Sequence, residues 1–174
     1  MTKPPLGLAM LLGLLCLVTP AAHAAPAGSG DTAVSARASY LTLGTADWEN
    51  RLFARTNARR AAHGCRPLHL DSALTLAARR HSSMMSSESE LSHRLADETG
   101  LVERAVSAGY THWRLLAENL AWGQSTPREA FHDWVQSPGH RANLDNCRLR
   151  DVGIGVVFSG GRPWVTQDFG RHLS

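Results

Sequence analysis

Lysine is nearly missing from this chain. Lys3 is the only one in 174 residues, so 17 of the 18 basic side chains are arginines. Against 15 acidic residues the net charge is +3, and acids and bases alternate along the chain. That balance gives little support to the electrostatic footprint of a nucleic-acid-binding protein, and no nucleic-acid partner is expected. Glycine and proline are too few for collagen or low-complexity sequence, while a 43% hydrophobic content suits one globular domain. No repeat of 20–50 residues marks a solenoid. Long apolar runs are also lacking: the longest, Leu6–Val18, spans only about 20 Å as a helix, against roughly 30 Å of bilayer hydrocarbon.

That run has another use. Lys3, the apolar stretch and Ala22-His23-Ala24 form the charged, apolar and small-x-small parts of a secretory signal peptide over residues 1–24. A secreted or periplasmic location follows, with no membrane span in the mature chain. Residues 25–44, rich in Ala, Gly, Ser and Thr, are expected to be a flexible linker, and residues 45–172 the domain. Cys16 would leave with the leader. Cys65 and Cys147 remain as an even pair in an oxidising compartment, where a bridge closing about 80 residues is worth about 4 kcal/mol. A metal half-site of His63, Cys65 and His69 competes for the same cysteine.

Apolar spacing predicts a first helix from about Trp48 to His63-Gly64. A second starts at Asp71 as N-cap and carries Leu74, Ala77, Ala78, His81 and Met84 inward. A short helix is expected around 98–107, ending at Gly109. Thr126-Pro127-Arg128-Glu129 is a capping box with proline in the first helical position, opening a helix that Ser137-Pro138-Gly139 breaks. Strands are expected at 115–122, 152–158 and 163–169, the last two forming a hairpin across Ser159-Gly160-Gly161-Arg162. The pattern is α+β, a small antiparallel sheet between helical layers.

Within 115–122, alternation places Glu118 on a face with Leu116, Leu120 and Trp122. A carboxylate there is paired, metal-bound or protonated, unless that face is open to solvent at a sheet end, because an unpaired buried charge is too costly. Of the nine histidines, His93 in a polar loop and His140 after a rigid Pro-Gly turn have the context of ligands or proton carriers. His81 falls on an inward stripe and is expected to be a satisfied core histidine.

An ordered series of fragments then points to a family. It runs Asn57-x-x-Arg60, Pro67-Leu68, Ser92-His93, Arg104 with Gly109-Tyr110, Glu118-Asn119, Trp134 with Ser137-Pro138-Gly139-His140-Arg141, Gly153-Ile154-Gly155, and Gln167-x-Phe169-Gly170. It resembles the CAP superfamily of cysteine-rich secretory, antigen 5 and pathogenesis-related 1 proteins (SCP domains), in its bacterial secreted branch, over residues 47–170. The resemblance implies a three-layer α–β–α sandwich. It also implies a cavity with His93 and His140 as histidines, able to hold a weakly bound divalent metal such as zinc, and with Glu118 beside Asn119 as one acid. Ser137 stands where many relatives have a second acid. The function implied is a monomeric, non-catalytic module that binds a lipid, sterol or protein. The alternative is a hydrolase using Glu118 or His140 as base, with a metal-bound water or Ser137 as nucleophile.

Overall fold

The computed structural model describes residues 44–173; the expected leader and all of the expected linker except Gly44 lie outside them. The elements are α1 (Thr45–Ala62), β1 (His69–Leu70), α2 (Ser72–Glu88), α3 (Leu101–Ser107), β2 (Trp113–Trp122), α4 (Pro127–Gln136), α5 (Pro138–Leu144), β3 (Asp151–Ser159) and β4 (Arg162–His172). Local chemistry sets the helix boundaries. The Asp71 carboxylate accepts from the Leu74 amide at 2.9 Å, and the Thr126 hydroxyl caps α4 by accepting from the Glu129 amide. Pro138 opens α5 immediately after Ser137 closes α4, so the two helices meet at a corner.

The strands form one sheet in the order β1-β3-β4-β2. β2, β4 and β3 pair antiparallel, as the hairpin pattern predicts. The two-residue β1, too short to leave a periodic signal, adds a parallel edge to β3, so the sheet is mixed rather than wholly antiparallel. Alternation along the strands divides the interior in two. Val152, Ile154, Val156, Val165 and Phe169 face Trp48 and Leu52 of α1 and Trp134 of α4. On the other face lies α2, with Leu120 and Trp164 packed on Met85.

Two glycines decide how close α2 comes. A Cβ on Gly153 would sit 2.0 Å from the Leu74 carbonyl carbon, and one on Gly155 would sit 2.2 Å from the Arg79 nitrogen. The helix backbone therefore rests directly on β3, and the Ser82 hydroxyl donates to the Gly155 carbonyl at 2.9 Å. Together α1, α4 and α5, then the sheet, then α2 and α3 make the expected α–β–α sandwich.

At the edge of the sheet, β2 has side-chain caps instead of a further strand. Asn143 of α5 donates to the Glu118 carbonyl at 3.1 Å, and Trp134 of α4 donates its indole N–H to the Leu120 carbonyl at 2.7 Å. At the far corner Cys65 and Cys147 are disulfide-bonded, which removes the competing metal half-site. Beneath the bridge lies the fully buried Arg60, whose guanidinium donates to the carbonyls of Arg66, Leu144, Asn146 and Leu149 at 3.0–3.1 Å.

Candidate functional site

Glu118 is buried, with 7% of its surface exposed, so its face does not open to solvent. Both carboxylate oxygens are engaged. Oε1 meets His93 Nδ1 at 2.7 Å, and Oε2 accepts from Arg104 Nη2. Arg104 reaches it from α3 and also donates to the carbonyls of His93 and Thr99, so one guanidinium fixes both the acid and the loop that carries the histidine. Burial alone would raise the Glu118 pKa. The His93 hydrogen bond and the charge of Arg104, aided by His81 and Asp168, outweigh it and hold the carboxyl ionised below its usual range. The same bond raises His93 above the ordinary histidine value, against the opposing effect of partial burial.

His140, at the third position of α5, is half-buried. Burial first, and then the charge of His93, lower its pKa and favour a neutral His140. The turn before it is tied to the sheet through Asn119, whose side chain donates to the His140 carbonyl at 3.3 Å and to Gln167 Oε1 at 3.2 Å. Asn143 donates to Asn119 Oδ1 at 2.9 Å, and Gln167 donates to Thr56 Oγ1 at 2.9 Å. A polar chain thus runs from α5 through β2 and β4 to α1. Asn119 is the central strut of that chain. Ser137 is half-buried at the α4–α5 corner, and its hydroxyl does not cap α5.

Three buried neighbours carry roles that sequence reasoning did not assign. Asp168 lies directly across from Glu118 in the β2–β4 register and is completely buried. Burial, followed by the adjacent Glu118 charge, drives its pKa far up, so it stays protonated. Its oxygens lack a conventional donor. A proton on Asp168 itself would let it donate to the facing Glu118 carboxylate. His81 is fully buried as expected but only half satisfied: Nδ1 meets Glu98 Oε2 at 2.5 Å, while Nε2 has no hydrogen-bond partner and lies 3.8 Å from Glu118 Oε2. Arg104 was visible only as a motif letter. The available signal was the run Thr166-Gln167-Asp168, polar residues inside a strand whose neighbours Trp164, Val165 and Phe169 are apolar. Trp122, expected to share the inward face, ends β2 and is 41% exposed.

A cavity of about 400 Å³ opens between α2 and α3, lined by Arg80, Met84, Glu98, Arg104 and Ser107 among others, and not by His93 or His140. It therefore lies behind the Glu118–Arg104 pair. Among the described residues, no group of three or more His, Cys, Asp or Glu side chains is arranged to hold a metal ion, and no helix is long and apolar enough to cross a membrane.

A three-layer sandwich in which a buried glutamate fixes a loop histidine is the arrangement of an SCP-type domain. The chain belongs to the cysteine-rich secretory protein (CAP) family, whose model matches residues 53–169. It is 32% identical over 124 residues to the Bacillus subtilis protein YkwD, covering 71% of this chain and 48% of that one. To the Bacillus subtilis membrane protein YlbC it is 28% identical over 121 residues, covering 70% and 34%. The chain thus spans less than half of either relative. Among solved structures, an extracellular SCP-domain protein from Bacillus anthracis superposes with a TM-score of 0.66 at 28% identity, covering 73% of this chain and 41% of that one. An outer surface protein from Borrelia burgdorferi shares the fold, with a TM-score of 0.70 at 19% identity, covering 75% and 97%.

Proposed function

We propose that this CAP protein is exported by its leader and acts as a monomeric, non-catalytic binding module. Its His93–Glu118–His140 cavity receives a divalent metal, and its ligand is a lipid, sterol or protein. Export is supported by the disulfide and by solved relatives described as extracellular or outer-surface proteins.

The observation that carries the reading is the commitment of both Glu118 oxygens, one to His93 and one to Arg104. A carboxylate held ionised between an arginine and a hydrogen-bonded imidazole is a poor proton acceptor, so it serves as a support and not as a general base. No hydrogen bond joins the Ser137 hydroxyl to His140 among the described residues, which leaves the serine form of the hydrolase alternative without an activated nucleophile.

The donor set suits zinc. Imidazoles whose second nitrogen is held by a carboxylate are the usual form of a zinc-bound histidine, and Glu118 holds His93 Nδ1, leaving Nε2 for the ion. His140 would be the second ligand. The metal, when bound, would supply a Lewis-acid contact for a ligand oxygen, while Glu118 and Arg104 keep the histidine loop in place.

Isothermal titration of the purified protein with zinc tests this. One weak site in the parent, absent from His93→Ala and His140→Ala variants with unchanged thermal transitions, is expected. Undiminished binding in the double variant would remove the metal cavity. A lipid-extract pull-down that returns nothing would remove the lipid and sterol forms of the ligand.

A further inference from the structure

Charges that alternate along the sequence do not alternate on the molecule. Around the disulfide the fold gathers seven arginines from four separate stretches. Arg66, Arg141 and Arg148 are exposed there, while Arg59, Arg150 and Arg171 are half-buried at the same corner. Arg60 lies underneath, and its pKa is lowered by burial and then by the charge of Arg150.

Hydrogen bonds tie the group together. Arg60 donates to the Arg66 carbonyl, Arg150 to the Cys147 carbonyl, and Arg171 to the Arg148 carbonyl. Arg59 and Arg141 both act on Asp145, and Arg59 binds it through two nitrogens at 2.6 Å.

What matters is where the donors go. Apart from the Arg59–Asp145 pair, these arginines bond backbone carbonyls, or nothing, rather than carboxylates. A carbonyl orders a guanidinium without cancelling its charge. The second acid nearby, Asp151, accepts from the Tyr110 hydroxyl. A strong positive field therefore remains over an ordered, cross-linked surface, and no lysine contributes to it. Guanidinium is the group that grips phosphate through paired, geometrically fixed donors.

We propose that this corner binds a polyanion, and that the occupant is a flexible phosphodiester polymer without bases. The second part rests on position. The large exposed aromatic rings, Trp122 and Phe158, lie at the turn end of the β3–β4 hairpin, whereas Arg150 and Arg171 flank its opposite end. Nine residues of strand separate those ends by about 30 Å. The corner consequently has phosphate donors and, beyond the small imidazoles of His63 and His69, no large aromatic stacking platform, and single-stranded nucleic acid is held by both together.

The test uses the mature protein with poly(glycerol phosphate) as probe, dextran as the uncharged comparator and oligo-dT of equal phosphate number as the base-bearing one. Affinity is measured from 50 to 200 mM salt. With four phosphates engaged, it should fall roughly 50-fold over that range. The triple variant Arg66→Gln/Arg141→Gln/Arg148→Gln should bind at least tenfold more weakly at 50 mM salt and lose most of the salt dependence. Arg162→Gln, at the far end of the hairpin, should bind like the parent. Should the triple variant unfold, Arg148→Gln alone should still weaken binding severalfold. No binding at 50 mM salt, equal binding by the triple variant, or an equal loss in Arg162→Gln overturns the site. Tighter binding of oligo-dT than of poly(glycerol phosphate) overturns the base-free occupant.

Discussion

Replacing Gly153 with alanine should unseat α2. The added methyl would lie 2.0 Å from the Leu74 carbonyl carbon and 2.1 Å from the Thr75 nitrogen, both backbone atoms that no rotamer change can move. Restoring an ordinary contact of 3.4 Å lifts the helix by about 1.4 Å. A lift of that size stretches the 2.9 Å hydrogen bonds from Ser82 to the Gly155 carbonyl and to Thr166. It also opens the packing of Leu74, Ala77 and Ala78, all buried to within 1%. Overpacking a core costs about 1–3 kcal/mol when side chains can yield, and more when backbone must move. A loss of about 3–5 kcal/mol is expected, or about 10 °C or more in the thermal transition. Gly139→Ala is the internal control. Nothing lies within 4 Å of its added methyl, and it sits in α5, so it should be neutral or stabilise by up to about 1 kcal/mol. Urea denaturation of both variants with the disulfide intact measures the difference. If Gly153→Ala falls within about 1 kcal/mol of the parent, the close seat of α2 is wrong.

Arg60→Met should cost about 3 kcal/mol or more by orphaning four buried or half-buried carbonyls at the disulfide corner, measurable by the same denaturation. Cys65→Ser/Cys147→Ser should lose about 4.5 kcal/mol, from a crosslink spanning 82 positions, and a denaturant midpoint unchanged from the parent would refute it. The pH dependence has two opposed parts. Asp145, held low by Arg59, stabilises fully above the unfolded carboxyl pKa of about 4, and its contribution disappears as pH falls through the folded value; Asp145→Asn should therefore flatten the acid limb. Asp168, pushed far up by burial, acts the other way, its cost growing as pH rises above that same unfolded value. Asp168→Asn should thus gain stability relative to the parent at pH 7 but not at pH 4.

Features written in neighbouring residues were legible before folding. Asp71 and Thr126 announced their helices, the two glycines after Ser159 announced the hairpin, and the surviving cysteine pair announced the bridge. Glu118 stood out because a single acid interrupted an apolar alternation, and His93 and His140 because rigid or polar turns presented them. What stayed hidden depends on register. Asp168 gains its meaning only when β4 slides beside β2 so that it faces a residue fifty positions earlier. Arg104 matters because α3 docks its guanidinium between a loop and a strand, and β1 exists only as a partner for β3. The arginine corner is of the same kind, a sum over segments that are each balanced on their own.

The capped margin of β2 limits how other chains can approach. A bare outer strand invites a neighbour to zip onto it through its main chain, whether a binding peptide or a misfolded copy. Here an indole and an amide already occupy the acceptors at positions 118 and 120. Recruitment along that rim must therefore proceed through side chains and loops. The same two plugs that steady the glutamate's strand also guard the domain against edge-to-edge stacking.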